Sequence, residues 1–184
     1  MNLALGTGSE VGAQVGSQGC FGCGSEVCTP HSQSAAANGF QTPTRRVLDT
    51  NIVLDLWVFD EPQAEALRTS LESGRTQWLA TAAMREELAR VLAYPQIAKR
   101  LMHRQLPASA VLGHFDRWAQ LQPNAPKAPC VCKDADDQKF IDLAVAHTAA
   151  LHSKDAQVIC MKKRLERCGV VLNPADEHPP TKVV

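Results

Sequence analysis

The sequence lacks the features of a secreted or membrane protein. No apolar run approaches the roughly 18 uncharged residues of a membrane span, and the start lacks the basic and apolar parts of a secretory signal. The chain also lacks net charge, with 19 basic and 19 acidic residues, so charge alone does not predict a polyanionic partner. We therefore expect a cytoplasmic protein without a membrane partner.

Basic residues are missing from the first 44 positions, where Glu10 and Glu26 are the charged residues and eight of the eleven glycines lie. Such a segment, with no sustained hydrophobic period, is typical of a flexible Gly/Ser-rich tail. The remaining length suits one ordinary domain. We place that domain at residues 45–173 and expect a loose C-terminal tail at residues 174–184.

The seven cysteines do not follow the pattern of a secreted disulfide framework, because their number is odd and their spacing scattered. Reduced thiols are expected. Cys20, Cys23, Cys28 and His31 form a C-x2-C-x4-C-x2-H pattern in the tail. Its ligand types suit a closed zinc site, but its central spacing is not that of a familiar zinc finger. Zinc binding and incidental tail thiols both stay open.

Beyond residue 44, short apolar runs alternate with helical stretches, which is typical of an α/β fold with a mostly parallel sheet. Strands are predicted at residues 45–49, 77–80, 150–153 and 170–172. Helices are predicted at residues 54–59, 62–73, 82–93, 107–121, 134–147 and 156–168. A connector with three prolines spans residues 122–132.

Acidic residues follow two of the predicted strands. Asp49 closes the first strand, and Asp155 stands two residues after the strand that ends at Ser153. Ligands bind beyond the carboxyl ends of parallel strands, so we expect both carboxylates at the same edge of the sheet. Asp is also a favoured N-cap, and for Asp155 this structural role stays open.

The helix at residues 82–93 turns one of its two neighbouring acids toward the core. Residues advance by about 100° around a helix, and Met84, Leu88 and Val91 define its apolar stripe. Glu87 borders that stripe, whereas Glu86 does not. Burying a carboxylate beside a core is costly unless something pairs with it, so Glu87 requires a partner.

The helix at residues 134–147 shows the same pattern. Its apolar stripe contains Phe140 and Ile141, and Asp137 falls inside it at about 100° per residue. Asp136 and Asp142 fall outside the stripe and are expected to be solvated. Asp137 is therefore predicted to point inward, although a helix-capping role stays open for it.

Four carboxylates converging on one sheet edge would repel one another unless a cation neutralised them. Mg²⁺ or Mn²⁺ suits oxygen ligands of this kind, because such an ion keeps waters while a few carboxylates hold it. A divalent ion can activate water and stabilise the charge of a reacting phosphate. The acids therefore predict metal-dependent phosphodiester hydrolysis.

The same residues resemble the motifs of the PIN-domain nucleases, in the branch of toxin components of toxin-antitoxin pairs. The resemblance covers about residues 45–172. The segment VLDTN at residues 47–51 resembles the family's opening strand and first acid. The segment MREELARVL at residues 84–92 resembles the family's second acidic helix. The segment DADDQKF at residues 134–140 resembles the branch's acidic loop and helix start. The segment SKD at residues 153–155 resembles the family's motif of Thr or Ser, any residue, then Asp.

This resemblance implies a three-layer α/β/α PIN-like domain with a short, mostly parallel central sheet. It implies a ribonuclease that leaves a 5′ phosphate and a 3′ hydroxyl, inhibition by a cognate antitoxin protein, and self-association into a homo-oligomer. The implied catalytic residues, which also bind Mg²⁺ (or Mn²⁺), are Asp49, Glu87, Asp137 and Asp155. The supporting residues are Thr50, Asn51, Asp134 and Ser153, of which Asp134 could share or replace the third ligand.

A different class of function is a catalytically inactive RNA-binding module, or a regulatory α/β domain with a phospho-accepting Asp49. The regulatory alternative is disfavoured, because receiver domains have an early acidic pair and a late lysine before proline. Here Arg45 and Arg46 open the first strand and no Lys-Pro occurs. The inactive RNA binder stays open.

Basic residues beside the predicted ligands, namely Arg85, Lys139 and Lys154, are candidates to guide a phosphate. The basic helix at residues 156–168 either contacts RNA phosphates or is a solvated helix end stabilised by the helix dipole, and both stay open. The tryptophans are expected in the core rather than stacked on bases. They are Trp57, Trp78 and Trp118.

Overall fold

Strands and helices alternate along residues 43–175, the part of the chain that this computed structural model describes. The strands are β1 (Thr44–Leu48), β2 (Thr76–Ala80), β3 (Ala119–Leu121) and β4 (Ala150–His152). The α-helices are α1 (Thr50–Leu54), α2 (Glu65–Glu72), α3 (Ala82–Leu92), α4 (Pro95–His103), α5 (Ala108–Trp118), α6 (Gln138–His147), α7 (Ala156–Ile159) and α8 (Lys162–Arg167). A π-helical turn at Asp55–Phe59 extends α1, and a 3-10 turn at Pro62–Ala64 leads into α2.

The strands of the described residues form one parallel sheet in the order β3, β2, β1, β4. In the centre, Val47 of β1 lies opposite both Leu79 of β2 and Leu151 of β4. Leu172 adds one parallel bridge to Leu151 at the edge of the sheet, within the predicted last strand. Because β1 and β4 are neighbours, the residues that follow them lie side by side.

The central strands are covered on both faces, as parallel sheets require. Val47 and Leu151 are fully buried. Trp78 on β2 is also buried, and its ring meets Phe115 of α5 edge-on at a centroid distance of 4.8 Å and stacks on Trp57 at 5.7 Å. Trp78 is thus a core residue, as predicted. The predicted three-layer α/β/α arrangement is confirmed.

The expected helix at residues 107–121 was wrong at its end. Helix α5 stops at Trp118, and the backbone of Ala119 turns extended with φ −81° and ψ 132°. The next residues pair with β2 and form the edge strand β3. Helix α4 was also missed, between the expected helices at residues 82–93 and 107–121. A three-residue strand is too short to show a periodicity, so pairing with β2 decides its conformation.

The last two predicted helices are shorter than expected. Helix α6 begins at Gln138, because Asp134 Oδ1 accepts a hydrogen bond from the Asp136 N–H at 2.9 Å and turns the chain before the helix. The expected helix at residues 156–168 is divided, since α7 ends at Ile159 and α8 begins at Lys162. The acidic segment before α6 is therefore a turn rather than a helical face.

The predicted Gly/Ser-rich tail up to residue 42, including the Cys/His pattern, lies outside the described residues, as do residues 176–184 of the predicted C-terminal tail. The domain boundaries stay predictions. Among residues 43–175, none of the helices combines the length and the apolar character that crossing a membrane would require.

Candidate metal centre

The first and fourth predicted acids meet at the ends of β1 and β4 through one serine hydroxyl. Asp49 is buried, and its N–H donates to the carbonyl of His152 at 2.9 Å, continuing the pairing of the two strands. The Ser153 hydroxyl donates to Asp49 Oδ2 at 2.6 Å and accepts from the Asp155 N–H at 3.0 Å. The parallel sheet therefore brings Asp49 and Asp155 to the same edge.

Glu87 reaches this edge from α3. Met84 and Leu88 on the same helix are buried, and the Glu87 side chain is 18% exposed, so the carboxylate borders the core as its helical position predicts. The Thr50 hydroxyl donates to Glu87 Oε1 at 2.9 Å, and the Lys139 ammonium pairs with Oε2. Thr50 and Lys139 therefore fix the orientation of this acid.

Asp137 lies at the N-terminus of α6, half-buried, and its side chain makes no capping hydrogen bond. Its Oδ2 atom is buried and has no hydrogen-bond partner among the described residues. Burial, together with the charges of Asp49, Asp155 and Asp134, raises the pKa of Asp137 to about 6. The helix-capping alternative does not account for a carboxylate in this position.

Asp49 experiences the same crowding. Burial raises its pKa, and the charge of Glu87 adds to that rise. The hydrogen bond from Ser153 and the backbone N–H groups of Asn51 and Thr50 act in the opposite direction. The four acids thus interact electrostatically. Asn51 has an exposed side chain and contacts Asp49 through its backbone N–H.

Asp155 is both an N-cap and a neighbour of the other acids. Its Oδ1 accepts a hydrogen bond from the Gln157 N–H at 2.6 Å, the capping contact that the sequence left open. Its charge also raises the pKa of Asp137. Asp134 is exposed and acts on Asp137 only through its charge. The ligand roles of all these acids stay predictions.

The three basic candidates differ in their surroundings. Lys139 pairs with Glu87 inside the site. Lys154 pairs with the buried Asp55 at 2.5 Å. Arg85 makes two hydrogen bonds to Asp116, at 2.6 and 2.7 Å, on the exposed side of the domain. Lys139 is therefore the cation best placed beside the acids.

Asn173 is a supporting residue that sequence reasoning missed. Its Oδ1 accepts from the Ser153 N–H at 2.9 Å, and its Nδ2 donates to the Ser153 carbonyl at 2.8 Å. The residue has a left-handed backbone with φ 48°, which asparagine tolerates better than most residues. That preference was the available signal, but the contact depends on Leu172 joining the sheet.

The residues present fit a hydrated divalent ion. Among residues 43–175, no three His, Cys, Asp or Glu side chains are grouped closely enough to hold an ion directly between them. Mg²⁺ needs only one or two direct carboxylates, because it keeps several waters. The unpartnered Asp137 oxygen and the raised pKa values of Asp137 and Asp49 are both features that a nearby cation would relieve.

Comparison with known proteins adds a family match. The sequence matches the PIN domain family over residues 45–156. Among curated proteins, no match was found. One solved structure to which the chain shows similarity is that of VapBC2 from Rickettsia felis bound to a DNA fragment from their promoter. The similarity has a TM-score of 0.48 at 14% identity and covers 70% of this chain and 97% of that chain.

Proposed function

This chain belongs to the PIN domain family, a family of nucleases, and from that premise we propose that it is a metal-dependent endoribonuclease. The proposal rests on the burial and the raised pKa of the Asp137 carboxylate. A carboxylate with a buried, unpartnered oxygen and a pKa raised to about 6 sits beside three other acids. Such an arrangement lowers stability and is expected at a functional site.

Four acids would hold a hydrated ion in this proposal, one or two of them directly and the others through its waters. They are Asp49, Glu87, Asp137 and Asp155. When bound, Mg²⁺ or Mn²⁺ supplies an activated water and positive charge to offset that of the phosphate. RNA hydrolysis would then leave a 5′ phosphate and a 3′ hydroxyl, as the resemblance of the motifs implies.

The surrounding side chains keep the acids in place. Ser153 holds Asp49 in one orientation, and Asn173 holds Ser153 through both of its backbone groups. Thr50 and Lys139 do the same for Glu87. Supporting contacts of this kind orient metal ligands, and losing one costs about 10–100-fold in metal affinity or activity.

We extend the proposal to the toxin of a type II toxin-antitoxin pair, with a cognate antitoxin protein and a homo-oligomer. The support for this part is the resemblance of the four acidic motifs to that branch. Four exposed basic residues of α8 offer a surface for RNA phosphates. They are Lys162, Lys163, Arg164 and Arg167.

The test is cleavage of a mixed RNA pool by the full chain with Mg²⁺ or Mn²⁺ and with EDTA. Asp49→Asn and Glu87→Gln should each lose at least about 100-fold in rate, more than a supporting contact supplies. Glu86→Gln is the matched control, because Glu86 is exposed on the same helix, and it should keep full activity.

Two results would contradict the proposal. Cleavage that survives EDTA and both substitutions would show that the acids do not act through a metal. Absence of cleavage with either metal, while RNA is still bound, would favour the inactive RNA-binding module instead.

A further inference from the structure

Two cysteines that are distant in sequence contact each other between the end of α8 and the connector before α6. The Cys168 thiol points at the sulfur of Cys130 with an Sγ to Sγ distance of 3.7 Å, across 38 residues of chain. Cys130 is buried, and Cys168 is half-buried. The other cysteines of the described residues do not share this contact. Cys132 is buried, and Cys160 is exposed and donates its thiol hydrogen to the Gln157 carbonyl.

The positions of the two cysteines allow the sulfurs to approach further. A disulfide has an S–S length of about 2.05 Å, so the sulfurs would move together by roughly 1.7 Å. Cys130 lies in the connector before α6, outside any helix or strand. Cys168 follows the last residue of α8 and precedes Gly169, which has a left-handed backbone with φ 77°. Neither cysteine is inside a regular element that would resist a small shift.

The connector that carries Cys130 is fastened to the start of α6. Gln138 Nε2 donates to the Cys130 carbonyl at 3.2 Å, and Gln138 Oε1 accepts from the Cys132 N–H at 2.7 Å. Gln138 directly follows Asp137, the acid with the unpartnered oxygen. A bond at Cys130 would therefore tie α8 to the segment that leads into Asp137.

We infer that Cys130 and Cys168 are an oxidative modification site, which a low-molecular-weight disulfide such as oxidised glutathione converts into a reversible disulfide. This inference does not depend on nuclease activity. The bond links the end of α8 to the connector and stabilises the domain by reducing the conformational entropy of the unfolded chain.

The chemistry proceeds by two exchanges. The Cys168 thiol is the more exposed of the two; it loses its proton and attacks one glutathione sulfur, forming a mixed disulfide and releasing one glutathione as a thiol. Cys130 then loses its proton and attacks the Cys168 sulfur, which releases the second glutathione. Two protein thiols are oxidised, and one glutathione disulfide is reduced to two thiols. Burial and the adjacent Cys168 sulfur raise the pKa of Cys130, which disfavours Cys130 as the first nucleophile.

The test uses the full chain, treated with oxidised glutathione, alkylated with N-ethylmaleimide and digested with trypsin without reduction. Mass spectrometry should find the peptide of residues 128–133 linked to the peptide of residues 168–182, and dithiothreitol should separate them. The first peptide also contains Cys132, so Cys132→Ala is the matched control and should keep the link. Cys130→Ala and Cys168→Ala should each lose it.

A second measurement does not depend on the peptide map. The oxidised wild-type chain should melt several degrees above the reduced chain, and Cys168→Ala should show no difference between the two conditions. The inference is overturned if both cysteines are alkylated in the oxidised wild type, if the link persists in Cys130→Ala through Cys132, or if oxidation lowers the melting temperature.

Discussion

Replacing Asp137 with Asn should stabilise the metal-free domain while abolishing its activity. Burial and the neighbouring carboxylates disfavour the charged form of Asp137, and Asn has nearly the same shape without the charge. The wild-type side chain makes no capping hydrogen bond, so the substitution removes none. Asp136→Asn is the matched control, because Asp136 is exposed and adjacent.

The magnitude follows from the pKa. A rise from 3.8 to about 6 corresponds to about 3 kcal/mol against the ionised form at neutral pH. Because Asp137 is only half-buried, solvent screening reduces its share of the unfolding free energy to about 1–2 kcal/mol. The pKa is higher in the folded state, so this stability is fully present below pH 3.8 and is lost as the pH rises through about 6.

The assay is urea denaturation in EDTA at pH 5 and pH 7.5, repeated with Mn²⁺. Asp137→Asn should exceed the wild type by about 1–2 kcal/mol at pH 7.5 and by less at pH 5. Mn²⁺ should stabilise the wild type and Asp136→Asn much more than Asp137→Asn. An Asn variant less stable than the wild type in EDTA at pH 7.5, or with an unchanged response to Mn²⁺, would show that Asp137 is neither destabilised by its charge nor close to the metal.

Three further substitutions test the support of the site and the core. Ser153→Ala removes the hydroxyl that holds Asp49 and should weaken Mn²⁺ binding, measured by calorimetry, by about 10-fold; unchanged affinity would contradict its positioning role. Lys139→Met removes the cation beside Glu87 and should lower the unfolding free energy in EDTA by about 1–2 kcal/mol. Mn²⁺ should then stabilise the variant more than it stabilises the wild type. A smaller stabilisation by Mn²⁺ would contradict the role of Lys139 as the cation that offsets Glu87. Ile141→Ala, at a fully buried position of α6, should cost about 2–5 kcal/mol in urea denaturation, and a loss below 1 kcal/mol would be inconsistent with the packing.

Sequence patterns predicted the features that depend on short-range periodicity. The helical position of Glu87 between Met84 and Leu88 predicted its place at the border of the core. The end of β1 predicted where Asp49 lies, because parallel strands present their carboxyl ends at one edge. These features need only the local backbone geometry and the sheet order.

The missed features depend on contacts between distant segments. Lys139 pairs with Glu87 from a helix 52 residues later, and Asn173 contacts Ser153 only because Leu172 joins the sheet. The strand β3 is three residues long, and pairing with β2 overrides the helical pattern before it. No local periodicity contains such information, so tertiary packing decides these features.

If the acids around Asp137 hold one divalent ion, crystals of the full chain soaked in Mn²⁺ will show it by anomalous X-ray diffraction. We expect a manganese peak at the edge of the sheet, next to the carboxylates of Asp49 and Asp137. A fully soaked crystal with no peak there, or with its manganese bound elsewhere on the chain, would contradict it.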